Sequence, residues 1–106
     1  MPPFVIKAVD EEETEYHEFT HDVYNTCDWD ADLIIYQAGM DCHQNDPFGS
    51  PWLTTELLEK REELVFSLAK KHKIPLLFVL AGGYQALPDL VPLHLKTFEM
   101  AYMIYY

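Results

Sequence analysis

Two short apolar runs, separated by a long amphipathic segment, constrain the fold of this 106-residue chain more than any other feature. The runs occupy residues 32–38 and 76–81 and are rich in branched and aromatic side chains, a pattern typical of strands buried on both faces. Between them, apolar side chains recur at helical spacing from Thr54, a suitable N-cap, to about Lys73. A crossover of this length joins parallel strands in a right-handed connection. The chain is therefore predicted to be an α/β protein with a central βαβ unit.

The remaining segments predict three further elements and one long loop. Residues 4–9 form a short apolar run that predicts a strand, and residues 11–25 carry apolar side chains at helical spacing. Residues 39–52 are rich in loop-forming residues, and residues 88–105 predict a final helix. No internal repeat or low-complexity segment interrupts the chain, so residues 1–106 are predicted to form a single domain.

The charge balance disfavours two classes of partner. The chain has 7 Lys and Arg against 18 Asp and Glu, and its net charge of −11 at pH 7 repels nucleic acid backbones and anionic lipid head groups. No apolar run approaches the roughly 20 residues that span a bilayer. We therefore expect neither nucleic acid nor a membrane as a partner.

Cysteine usage and the N-terminal residues indicate the compartment. Cys27 and Cys42 are too few for a disulfide scaffold. The chain turns acidic within ten residues and lacks the basic-then-apolar order of a signal peptide. The expected location is cytoplasmic.

Two segments are expected to build any ligand site. Residues 39–43 and residues 82–84 each follow a predicted strand. Ligands of open parallel sheets bind beyond the carboxyl ends of the strands, so these two segments are expected to meet at one edge of the sheet.

These segments belong to an ordered series of motifs. The series reads Ala-Gly-Met-Asp at 38–41, Asp-Pro-Phe-Gly at 46–49, Leu-Thr-Thr at 53–55 and Ala-Gly-Gly-Tyr at 81–84. It resembles the C-terminal part of the histone deacetylase superfamily, particularly its class II-like, acetoin-utilisation and acetylpolyamine amidohydrolase branch. The resemblance covers roughly residues 31–98 and implies a fragment of the three-layer arginase/deacetylase-like fold, built on a parallel sheet.

The resemblance implies a role for four residues. Asp41 matches a ligand of the catalytic zinc, and Tyr84 matches the catalytic tyrosine that hydrogen-bonds the substrate carbonyl oxygen. Gly82 and Gly83 match the positions where the backbone passes close to the substrate. The implied reaction is zinc-dependent hydrolysis of an N-acetyl amide in acetyl-lysine, an acetylated polyamine or a similar amine.

Two expected parts of such a site are missing from the 106 residues. The Asp-x-His-His-Gly segment that supplies the other two zinc ligands does not occur, and neither does any His-His pair that would act as the base. We therefore expect a deacetylase fragment that is inactive alone. The alternative is a non-catalytic remnant that associates with itself or with a complementary chain, because missing strands would leave an open sheet edge and an apolar face.

Local histidines offer other metal sites. Asp41 and His43 have the Asp-x-His spacing and could share a metal, although the motif already accounts for His43 as a loop residue. His17, Glu18 and His21 form an H-E-x-x-H sequence on the helix predicted at residues 11–25, a signature of zinc metalloproteases. A solvated histidine pair on an outer helix explains the same pattern.

Overall fold

The computed structural model describes residues 30–106. The strand predicted at residues 4–9 and the helix predicted at residues 11–25 lie outside this part of the chain. The described elements follow one another in the order β1, α1, β2, α2. They span Ile34–Gln37, Thr55–Lys71, Leu76–Val79 and Leu87–Tyr105 respectively.

The two strands form the predicted parallel pair. Ile34 lies opposite Leu76, and the register continues in step to Gln37 opposite Val79. Helix α1 connects the strands, so the predicted βαβ unit is confirmed. The described residues form a small α/β unit that is consistent with a fragment of the fold implied by the motifs.

Local sequence signals determine where α1 begins and ends. The Thr54 hydroxyl accepts a hydrogen bond from the backbone N–H of Leu57 at 3.2 Å, which caps the first turn. At the other end, Lys73 adopts a positive φ of 57°, and the backbone N–H of Ile74 returns to the carbonyl of Ala69. This left-handed residue ends the helix two positions before Pro75 and turns the chain into β2.

Both helices pack on the same face of the sheet. Phe66 of α1 is fully buried at the centre of the core, and its ring meets the rings of Tyr36 and Phe78 edge to face at 5.9 and 5.5 Å. Met100 and Ile104 of α2 pack against the same cluster. The core therefore lies between one sheet face and a layer made by α1 and α2.

The exposure of the other sheet face contradicts one expectation from the sequence. Strands buried on both faces were predicted, but Leu33, Ile35, Leu77 and Val79 are 41 to 53% exposed. The reason is geometric, because both described helices lie on the opposite side of the sheet. An apolar run does not reveal by itself which of its two faces is covered. The three-layer arrangement needs a second helical layer that residues 30–106 do not include.

None of the helices in the described residues is both long enough and apolar enough to span a membrane.

Candidate functional site

The loops after β1 and β2 meet, as the motif positions predict. Backbone pairing continues past the strand ends, where Ala38 donates to the carbonyl of Val79 and Met40 donates to that of Gly82, both at 2.8 Å. Ala81 has a positive φ of 52°, which turns the chain at the end of β2. The segment that carries Asp41 is therefore held beside Gly82.

The Asp41 carboxyl group packs directly on the Gly82 backbone. A Cβ atom added at Gly82 would lie 2.8 Å from Cγ of Asp41, which is too close for any larger residue without movement. A Cβ added at Gly39 would meet Oδ1 of Asp41 at the same distance. Two glycines thus make room for this half-buried carboxylate, and the arrangement explains their positions in the motifs.

Tyr84 lies two residues beyond Gly82, with its backbone fixed and its side chain accessible. Its N–H donates to Oδ2 of Asp46 at 2.7 Å, while Oδ1 of Asp46 accepts from the N–H of Phe48 at 2.9 Å. The Tyr84 ring rests edge to face on Phe48 with centroids 5.3 Å apart, and the residue is 58% exposed. The buried Asp46 therefore ties the two loops together and positions Tyr84 without covering its phenol.

Both ring nitrogens of His43 have hydrogen-bond partners, one in the loop and one at the start of α1. Nδ1 accepts a hydrogen bond from the backbone N–H of Asn45 at 3.1 Å, and Nε2 lies 2.9 Å from the Thr55 hydroxyl. Burial lowers the pKa of His43, against an opposing effect of Asp46. In this arrangement neither nitrogen is free to share a metal with Asp41.

A buried polar network supports the Asp41 loop from α1. Nη1 of Arg61 donates to the carbonyl of Gly39 at 2.9 Å and lies 3.6 Å from Sγ of Cys42. Nε of Arg61 donates to Oε1 of Glu62 at 2.7 Å, and the Tyr36 hydroxyl donates to the same oxygen. Arg61 therefore contacts the chain on both sides of Asp41.

Burial shifts the titration of the groups around Arg61. It raises the pKa of the Tyr36 phenol well above its usual value, and it raises the pKa of the Cys42 thiol although Arg61 opposes that change. Burial by itself lowers the pKa of Arg61, but Tyr36 and Glu62 reverse the effect and raise it. Arg61 is therefore a permanent cation in the core.

This network was not predicted from the sequence, although the sequence carries a signal for it. Leu57, Leu58, Val65 and Ala69 define the buried face of α1. The helical period places positions 61 and 62 on that same face. A charged pair at such positions is buried, so its ion pairs and hydrogen bonds have to be made with groups inside the protein.

A cavity of about 680 Å³ opens next to the two loops. Its lining includes His43, Asn45, Tyr84, Gln85 and Lys96, but not Asp41. Tyr84 therefore lines the cavity, whereas the Asp41 carboxylate lies outside it.

The described residues do not complete a zinc site. Across residues 30–106, no three His, Cys, Asp or Glu side chains converge on one point. Open catalytic zinc sites hold three protein ligands, and this edge of the sheet offers the carboxylate of Asp41. His17, Glu18 and His21 lie outside the described residues, so the H-E-x-x-H site stays a prediction.

Comparison with protein families decides the origin of this arrangement. The model of the histone deacetylase domain matches residues 5–97. The chain belongs to the histone deacetylase family. The match includes Asp41, Gly82, Gly83 and Tyr84, the residues whose roles the motifs imply.

Two relatives show how much of a family member this chain represents. Histone deacetylase 2 of Arabidopsis thaliana is 38% identical over 53 residues, which make up 50% of this chain and 14% of that protein. An uncharacterized protein of Picosynechococcus sp. is 36% identical over 75 residues, or 70% of this chain and 25% of that protein. The chain thus spans a quarter or less of the length of these relatives.

Proposed function

We propose that this chain supplies one half of the amide-hydrolysing site of a histone deacetylase-like enzyme. The observation that carries the proposal is the packing of Asp41 on Gly82, two residues before the accessible Tyr84. A carboxylate and a phenol are thereby presented at one edge of a parallel sheet, where ligands of such sheets bind.

Each residue has a chemical role in this proposal. Asp41 is the carboxylate that the chain offers to a zinc ion, whose other ligands come from residues outside the described part. Tyr84 donates a hydrogen bond to the carbonyl oxygen of the substrate as that oxygen gains negative charge. Gly82 and Gly83 let the backbone pass close to the amide.

The proposed substrates are N-acetyl amides of acetyl-lysine, acetylated polyamines or similar amines. The acidic charge of the chain favours acetylated polyamines, which keep protonated amino groups, over anionic substrates. By itself the chain is inactive in this proposal, because one carboxylate does not make a catalytic zinc site.

A chimera tests the proposal directly. Residues 30–106 replace the corresponding segment of Arabidopsis histone deacetylase 2, and the zinc-loaded chimera is assayed on an acetyl-lysine peptide and an acetylated polyamine. We expect the chimera to hydrolyse at least one of them, while the chain alone stays at background. Tyr84→Phe should lower kcat by roughly 100-fold or more, since it removes one oxyanion donor.

Tyr102→Phe is the matched control for this substitution. It removes the hydroxyl of another exposed tyrosine, which lies on α2 rather than in the motif loop, and should leave kcat unchanged. An active chimera in which Tyr84→Phe is as fast as the unsubstituted protein would contradict the proposed role of Tyr84.

A second candidate function is binding of a complementary chain, which the uncovered sheet face favours. Ile35 and Leu77 are each about half exposed there, and the relatives are several times longer than the matched segments. The occupant in this proposal is the remaining part of a deacetylase domain. Apolar faces of this kind are normally covered.

Co-purification tests this second candidate. The chain is co-expressed with Arabidopsis histone deacetylase 2 from which the matching segment has been deleted. We expect the two to co-purify, and Ile35→Glu to abolish the complex. Phe48→Glu, at an exposed position in the loop, is the control that should retain it. Failure of the two unsubstituted proteins to co-purify would count against the second candidate.

A further inference from the structure

Helix α2 carries a second apolar surface, most of which is exposed. We name it the outer stripe, and it consists of Leu87, Val91, Leu95, Phe98, Tyr102 and Tyr106. These six side chains are between 50 and 93% exposed. They follow one another in steps of four, four, three, four and four residues, so they lie along one side of the helix and its C-cap.

The inner side of α2 is already occupied. Leu93 and Thr97 are buried, and Met100 and Ile104 pack against the core. A helix that is apolar on both sides is typical of a helix covered all round. Phe98 meets the ring of Phe78 edge to face at 5.1 Å and is still half exposed, so the outer stripe is largely uncovered among the described residues.

The spacing of the outer stripe is the same in both directions along the helix. A two-fold axis across the helix between Lys96 and Thr97 places Leu87 opposite Tyr106 of the partner subunit. The same axis places Val91 opposite Tyr102 of the partner subunit and Leu95 opposite Phe98 of the partner subunit. Each pair joins an aliphatic side chain to an aromatic ring, so large and small side chains alternate across the contact.

We propose that the outer stripe is the interface of an antiparallel, two-fold symmetric dimer with a second copy of this chain. This inference goes beyond the proposed function and does not depend on it. The partner is a second copy because the stripe is complementary to itself, as an isologous interface requires. Antiparallel pairing also brings opposite ends of the two helix dipoles together.

The available area is sufficient for such a dimer. The six side chains expose on the order of 800 Å², which is what each partner buries in an interface of standard size. The two-fold axis buries both copies of the stripe at once. Since each copy carries a net charge of −11, added salt should strengthen the apolar contact by screening the repulsion between copies.

Sedimentation velocity over a concentration series tests the dimer. The wild-type chain should dimerise at micromolar concentration. Val91→Lys and Tyr102→Glu should each raise the dimer dissociation constant by roughly 100-fold, because each places a charge opposite an apolar side chain in both halves of the interface. Both positions are more than half exposed, so circular dichroism should show unchanged helix content.

Mixing the two variants tests the antiparallel register. In a heterodimer the introduced lysine faces the introduced glutamate, while the other half of the interface keeps its native Val91 and Tyr102 pair. Dimerisation should return to within about tenfold of wild type. Met103→Glu is the control, because Met103 is exposed on the same helix outside the stripe and should leave the dissociation constant unchanged.

Three results would overturn the proposal. One is a wild-type chain that stays monomeric at about 100 µM, which would mean that the outer stripe does not bind a second copy. Another is a dimer that neither Val91→Lys nor Tyr102→Glu weakens. The third is a mixture of the two variants that stays monomeric, which excludes the antiparallel register.

Discussion

Replacing Arg61 by methionine should destabilise the chain through the carboxylate that it leaves behind. Arg61 is 2% exposed and Glu62 is fully buried. The substitution removes the ion pair at 2.7 Å and the hydrogen bond to the Gly39 carbonyl at 2.9 Å. Methionine fills much of the vacated volume, so the loss reflects charge and hydrogen bonding more than a cavity.

The size of the loss follows from leaving the buried Glu62 carboxylate without its partner. A buried carboxylate that keeps its charge after losing its partner costs about 3 to 5 kcal/mol. We therefore predict that Arg61→Met lowers the free energy of unfolding by about 4 kcal/mol at pH 7.

Urea unfolding followed by circular dichroism at a fixed protein concentration measures this loss. The double variant Arg61→Met with Glu62→Gln removes both charges and leaves an amide oxygen to accept the Tyr36 hydroxyl. It should lie within about 1.5 kcal/mol of wild type at pH 7. A single variant that costs under about 1 kcal/mol, or a double variant as unstable as the single one, would refute the reasoning.

Substitutions at four further positions have defined outcomes. Burial lowers the pKa of His43 below its ordinary 6.5, so the unfolded chain binds the proton more readily, and stability falls as the pH drops below about 6.5. Urea unfolding at about pH 7.5 and 5.5 should show a smaller pH dependence in His43→Gln than in wild type, and equal dependence would contradict this. Gly49→Ala places Cβ 1.8 Å from the His43 carbonyl oxygen and should cost about 3 kcal/mol or more. Gly83→Ala meets a side-chain methyl of Leu90 at 2.6 Å, where Gly49→Ala meets backbone, and should therefore cost less than Gly49→Ala when thermal melts of the two variants are compared. The reverse order would show that the loop backbone at Gly49 moves more easily than the Leu90 side chain. Thr54→Ala should cost about 1 kcal/mol by loss of the helix cap, and Thr54→Ser should restore most of it.

Local sequence signals were sufficient to locate the described helices and strands. Thr54 marks the start of α1, Pro75 lies beyond its end, and the final helix begins within a residue of its expected position. These features are set by caps, proline and periodicity within a few residues, which sequence patterns record well. The parallel pairing followed from the length of the crossover.

The features that the sequence did not reveal depend on contacts between distant residues. The apolar runs were equally compatible with one or two covered faces, and the placement of α2 beside α1 decided which face of β1 is covered. Arg61 reaches Gly39 across 22 positions of the chain, which no local pattern encodes. Asp46 could be assigned to its turn from the adjacent Pro47, but its bond to Tyr84 required the meeting of two loops.

The zinc affinity of the chimera tests most directly the proposal that this chain supplies one half of a deacetylase site. We predict that the metal-stripped chimera binds one zinc ion with a dissociation constant below about 1 µM. Asp41→Ala should weaken that binding by roughly 100-fold, since one of three protein ligands is lost, and His43→Gln should leave it unchanged. The isolated chain should show no binding of this strength. Equal zinc affinity in the unsubstituted and Asp41→Ala chimeras would contradict the account, because Asp41 would then not be a ligand.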